Sequence, residues 1–208
     1  AAAFVARTLD PQWRTMIFYS PQSHPNPNNG ETKMKTTPTL IAAASAAILL
    51  SACAGHHHGP SAEAKLAPTK GHTTTGTVVF RQKGHDVEVT AHVAGLTPGA
   101  HGFHIHEKGD CSAPDGTSAG GHFNPGGHPH GHPHKGPHHA GDMPMLETDA
   151  YGNAKLVAVL PGLTLEGANG IVGKGVIVHA APDDFKTQPT GNSGARMACG
   201  VIVKRQPD

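Results

Sequence analysis

Apolar and polar side chains alternate with a period of two from Val87 to Val93: Val87, Val89, Ala91 and Val93 are interleaved with Glu88, Thr90 and His92. Successive side chains of a strand point to opposite faces, so this run predicts a strand with one buried face. Thr77-Val78-Val79-Phe80 predicts a second strand, and Gly84 between the two runs marks a hairpin turn. Further strands are expected around 102–106, 155–160, 175–179 and 200–203. Breakers separate them: Thr97-Pro98-Gly99, Pro161-Gly162 and Pro182-Asp183-Asp184. No segment sustains a helical period. Many short strands with turn signals predict an antiparallel β-sandwich or barrel. Two stretches, 107–145 and 180–198, are too long for turns. Loops of that length in a compact domain are usually functional. Residues 53–72 are rich in His, Gly, Pro and Ala and read as a flexible tether. The ordered domain is expected over 73–208.

Composition sharpens this picture in one respect. The 208 residues include 18 His, while the formal net charge is only +1. A near-neutral chain lacks the basic stripe of a nucleic-acid binder, so no nucleic-acid partner is expected. Imidazole is the commonest protein ligand for zinc and copper, so metal chemistry is the first hypothesis.

The N-terminal quarter reads as export machinery. Met34-Lys35 precedes an Ala-rich apolar run, 40–50, that ends in Leu50-Ser51-Ala52-Cys53. A positive start, a short apolar stretch and small residues before the cut predict a signal peptide over 34–52. The run is too short for a comfortable membrane span. Its ending resembles a bacterial lipobox, which implies lipidation at Cys53 and a membrane anchor in the periplasm or cell envelope. Residues 1–33 look unlike a targeting segment and read as upstream sequence before the true start. With Cys53 lipidated, Cys111 and Cys199 are left for one disulfide in an oxidising compartment.

His104 and His106 flank Ile105 on an expected strand, so both rings reach the same face and can share one ion. Downstream come Gly121-His122-Phe123-Asn124-Pro125, a His-dense loop ending His139-Ala140-Gly141-Asp142, and His179 closing the apolar run Val176-Ile177-Val178. With His101-Gly102-Phe103 and Gly191-Asn192-Ser193-Gly194-Ala195-Arg196-Met197-Ala198-Cys199-Gly200, these pieces resemble copper/zinc superoxide dismutases, of the bacterial secreted type, across roughly 73–208.

The resemblance implies an all-β, Greek-key antiparallel barrel or sandwich with long metal-binding and active-site loops. It implies copper held by His104, His106, His122 and His179, and zinc held by His122, His130, His139 and Asp142. His122 would bridge the two ions. The residue types suit the metals: copper(II) favours a tetragonal nitrogen set, zinc a tetrahedron of nitrogens and one carboxylate. The middle zinc ligand has two candidates. His130 lies eight residues after His122 and precedes Gly131; His134 begins His134-Lys135-Gly136-Pro137. The spacing favours His130. Asp183 would orient the rings of His104 and His130, although Asp184 beside it offers the same chemistry. Arg196 would hold the anion, and Cys111–Cys199 would be the disulfide. Superoxide is then the substrate, converted to oxygen and hydrogen peroxide as copper is alternately reduced and oxidised. The rival reading is a non-enzymatic copper/zinc-binding lipoprotein on the same fold. The other histidines, including His56-His57-His58, are either solvated or a metal-capturing reserve. A homodimer is compatible with the sequence, which does not decide between it and a monomer.

Overall fold

A computed structural model describes residues 59–206. The expected signal peptide over 34–52, Cys53 and His56-His57-His58 lie outside the described residues. Ten strands follow in order: β1 Ser61–Pro68, β2 Thr75–Lys83, β3 Asp86–Ala94, β4 Ala100–His101, β5 Phe103–His106, β6 Leu146–Glu147, β7 Ala154–Leu160, β8 Gly175–His179, β9 Arg196–Val201 and β10 Val203–Lys204. The described residues hold no α-helix, only a 3-10 turn at Thr117–Ala119.

The main sheet runs β5-β8-β9-β1-β2-β3-β7, with β10 beside β1, and every ladder is antiparallel. β1, β2 and β3 are neighbours. The chain then crosses to β5 at the far end and returns to set β7 against β3, a Greek-key path. Strands β2 and β3 form the expected hairpin. Gly84 takes a φ of 63° in its two-residue turn, where a Cβ would be strained. The alternating residues behave as their pattern predicts. Val87, Val89, Ala91 and Val93 are buried with Val78, Phe80, Phe103 and Ile105 in one core.

Two sequence expectations are corrected. The tether does not extend to residue 72, because 61–68 form β1 in the middle of the sheet. Ala62, Ala64 and Leu66 alternate into the core between Ser61, Glu63 and Lys65. The small alanines made that period easy to overlook beside His- and Gly-rich neighbours. The loop expected over 180–198 ends sooner, since β9 starts at Arg196. Its central residues, Met197 to Gly200, are buried on both faces, which removes the alternation that would mark a strand. Ala198 faces the main core, while Cys199 packs with Ile177 and Ala119 under the first long loop.

That loop, 107–145, folds back along the open edge of β5. Phe123 donates its N–H to the Ile105 carbonyl, Ile105 to Gly141, Gly141 to Phe123, and Glu107 to Gly121. Gly141 has no room for a side chain, because a Cβ would run into the Ile105 carbonyl. This docking carries His122 and Asp142 to the strand that bears His104 and His106.

Candidate metal centre

Seven side chains converge between β5, the end of β8 and the long loop. The ligand atoms of His104, His106, His122 and His179 all lie within 4.8 Å of one another. Those of His122, His130, His139 and Asp142 form a second group within the same limit. All seven residues are buried, and His122 belongs to both groups. A register shift at Val178/His179 ends the β8–β9 ladder and sets His179 opposite Arg196.

Hydrogen bonds fix which nitrogen of each ring is left over. His106 donates Nδ1–H to the Gly120 carbonyl at 2.9 Å, and His179 donates Nδ1–H to the Gly194 carbonyl at 3.2 Å. His104 donates from Nε2 to Asp183 Oδ2 at 2.7 Å. His122 donates from Nδ1 to Asp142 Oδ1 at 2.9 Å. A neutral imidazole has one N–H and one lone pair, so each opposite nitrogen presents a lone pair. Those nitrogens, His104 Nδ1, His106 Nε2, His122 Nε2 and His179 Nε2, are buried without a hydrogen-bond partner. Burial pushes His104 down to about 4 and His179 to about 3, and holds His106 well below its ordinary value. At neutral pH all three are therefore neutral donors.

The second group surrounds one carboxylate oxygen. Asp142 Oδ1 lies 2.9 Å from His122 Nδ1, 2.9 Å from His130 Nδ1 and 3.7 Å from His139 Nδ1. Ligand atoms about 2.0–2.1 Å from a tetrahedral zinc stand about 3.3 Å apart, a value these separations bracket. Asp142 Oδ2 accepts the N–H groups of Gly131 and His139 at 3.0 and 2.8 Å, which fixes the carboxylate plane. Burial works against the Asp142 charge, but the bonds from His122, His130 and Gly131 outweigh it and hold the carboxyl well below the usual range. Burial likewise opposes charge on His130, yet Asp142 and Asp183 hold it up to about 9. Two buried carboxylates here demand positive charge, the condition a divalent cation meets.

Asp183 joins the groups. It binds His104 through Oδ2 and His130 through Oδ1, the latter at 2.9 Å. Asp184 points the other way and caps a turn through the N–H groups of Lys186 and Thr187. His134 is exposed and belongs to neither group. His128, His132 and His138 are also outside both; His132 packs against Phe185 at 4.7 Å.

Arg196 sits half-buried at the rim. Its Nη1 and Nη2 donate to the Gly116 and Gly120 carbonyls, each at 2.7 Å. The same Gly120 carbonyl accepts from His106, so the loop registers the guanidinium against the first group. Cys111 and Cys199 are bonded across 88 residues, which clips this loop to β9. Sequence reasoning did not find the carbonyls of Gly116 and Gly120, since backbone acceptors leave no mark in residue identity. It also gave no role to His101, whose ring is buried between the carbonyls of His179 and Thr97.

Fold and donor set together define a β-barrel metalloprotein with two adjoining cation sites. The family profile of copper/zinc superoxide dismutase matches residues 74–202. Superoxide dismutase [Cu-Zn] 2 of Aquifex aeolicus is 39% identical over 147 residues, covering 68% of this chain and 85% of that protein. The superoxide dismutase [Cu-Zn] of Deinococcus radiodurans is 37% identical over 154 residues, covering 69% and 84%. The crystal structure of the clock protein EA4 superposes with a TM-score of 0.64 at 38% identity, covering 72% of this chain and 97% of that one. The chain belongs to the copper/zinc superoxide dismutase family.

Proposed function

We propose that this chain disproportionates superoxide to oxygen and hydrogen peroxide, with copper on His104, His106, His122 and His179 and zinc on His122, His130, His139 and Asp142. One observation carries the assignment. The five buried ring nitrogens without a hydrogen-bond partner among the described residues all belong to these two groups. Buried polar atoms are rarely left unpaired, so an orphaned set that converges points to a ligand.

Bound copper supplies a one-electron couple that superoxide can both reduce and reoxidise, and zinc supplies a fixed positive charge without redox chemistry. The chain's own residues do the rest. His122 reaches the first group with Nε2 and the second with Nδ1. Its Nε2 would either offer its lone pair to copper or, when released from it, take up the proton destined for peroxide. Asp183 ties His104 to His130, so one carboxylate orients a ring in each group. Arg196 offers charge and planar N–H donors to a small anion on the rim beside His179. A metal store would need no such cation, which favours the enzyme over the reservoir.

The same reading places the mature protein in the periplasm or cell envelope, anchored by lipid at Cys53. The lipobox-like Leu50-Ser51-Ala52-Cys53 supports this, as does the Cys111–Cys199 bond, which persists in oxidising compartments. Elemental analysis with a superoxide-consumption assay on the mature protein tests the proposal. About one copper and one zinc per chain are expected, with activity that follows copper. Zinc in both positions and no activity after copper loading would refute it.

A further inference from the structure

His130 stands in a segment, 126–138, that forms no strand or helix and is built from Gly, Pro, His and one Lys. Nothing in the sheet holds it. Its ring is gripped by Asp142 and Asp183. Its backbone is gripped by one further side chain from the other long loop. The His130 N–H donates to Gln188 Oε1 at 2.8 Å, and Gln188 Nε2 donates to the His130 carbonyl at 2.9 Å. A primary amide thus satisfies both main-chain groups of one residue, as a neighbouring strand would. Gln188 Nε2 also donates to the Lys186 carbonyl at 3.2 Å. The amide orientation is therefore determined three times over, because a flipped amide would set donor against donor at the His130 N–H and acceptor against acceptor at the two carbonyls.

The turn that presents Gln188 is braced. Asp184 accepts the N–H groups of Lys186 and Thr187 at 2.9 and 2.8 Å and the Thr187 hydroxyl at 2.6 Å. Gly191 donates to the Thr187 carbonyl at 2.7 Å, and Asp184 to the Gly191 carbonyl at 3.0 Å. A side chain at Gly191 would collide with Asp183 Oδ1, so the turn closes against the carboxylate that holds the His130 ring.

We infer that Gln188 is a positioning residue for the zinc group: its amide fixes the His130 backbone so that Nδ1 faces Asp142, His122 and His139. This rests on the reading of His130 as a zinc ligand. It assigns 184–191 a role besides closing against Asp183. The turn holds His130 at its main chain while Asp183 holds its ring.

The test is zinc retention in the copper- and zinc-loaded protein, followed by transfer of zinc to a chromophoric chelator. Groups that orient metal ligands typically change affinity about 10–100-fold when removed. Gln188 is exposed, and water can replace part of what it offers, so Gln188→Ala should weaken zinc retention by about tenfold, at the lower end of that range. Gln188→Glu keeps the acceptor for the His130 N–H and loses the donor, so it should fall between Gln188→Ala and the parent. Copper affinity and the Cys111–Cys199 bond should be unchanged in both. A general weakening of the loop would instead show as copper loss. In a His130→Ala background, Gln188→Ala should cost nothing further, because its effect runs through His130. If His130→Ala weakens zinc but Gln188→Ala retains it as the parent does, or if the two losses add, the clamp is refuted and the ligand stands. If His130→Ala itself retains zinc normally, the ligand assignment fails and the clamp with it.

Discussion

Removing the charge of Arg196 should slow the enzyme while leaving both metals bound. Arg196 faces His179 across β8 and β9, and two of its five N–H donors are committed to the Gly116 and Gly120 carbonyls. Partial burial lowers its pKa from the ordinary value, but a guanidinium stays protonated throughout the working range. An approaching anion would lose one charge-assisted hydrogen bond in Arg196→Ala, about 1.5–3 kcal/mol. At about 1.4 kcal/mol per tenfold, that is about a ten- to 150-fold fall in rate. Part of the field that draws the anion inward goes as well, so the rate should depend less on ionic strength. Arg196→Lys keeps the charge but lacks the fork that reaches two carbonyls at once, and should fall between the two. Pulse-radiolysis rates at several salt concentrations measure this. Because His106 shares the Gly120 carbonyl, metal content must be checked in each variant. A metal-replete Arg196→Ala protein with an unchanged rate and salt dependence would show that this guanidinium does not govern capture.

Three further outcomes are expected. Zinc titration should find a larger loss in His130→Ala than in His134→Ala, since His130 alone of the two lies with Asp142; the reverse order would overturn the ligand set. Cys53→Ser should leave the membrane fraction and keep its specific activity, and a variant that stays membrane-bound would refute the anchor. The metal-free protein should be most stable in a narrow window at about pH 6.5–7, read from denaturant midpoints. Below that window, His104 and His179, held near 4 and 3 in the fold, take up protons more readily when unfolded, so stability falls as pH drops. Above it, the unfolded chain has already lost the His130 proton that Asp142 and Asp183 hold up to about 9 in the fold, so this contribution is lost progressively between about pH 6.5 and 9. A flat profile would contradict both.

Local pattern alone placed the β2–β3 hairpin, because a half-buried strand must alternate and a two-residue turn favours glycine at positive φ. It placed His104 and His106 on one strand, since the spacing i, i+2 is a property of the extended backbone. The same reasoning was blind where burial is two-sided, as at the start of β9, and where small residues blur the period, as at β1. Choices between near-equivalent neighbours were made by tertiary structure. His130 and His134 have the same ring, and Asp183 and Asp184 the same carboxylate; docking of the loop along β5 and closure of the 184–191 turn bring only His130 and Asp183 to the buried groups. Gln188 and the carbonyls of Gly116 and Gly120 lie beyond any sequence reading. Their roles come from contacts spanning 58 to 80 residues, and a hydrogen bond at such separation exists only once the chain has folded.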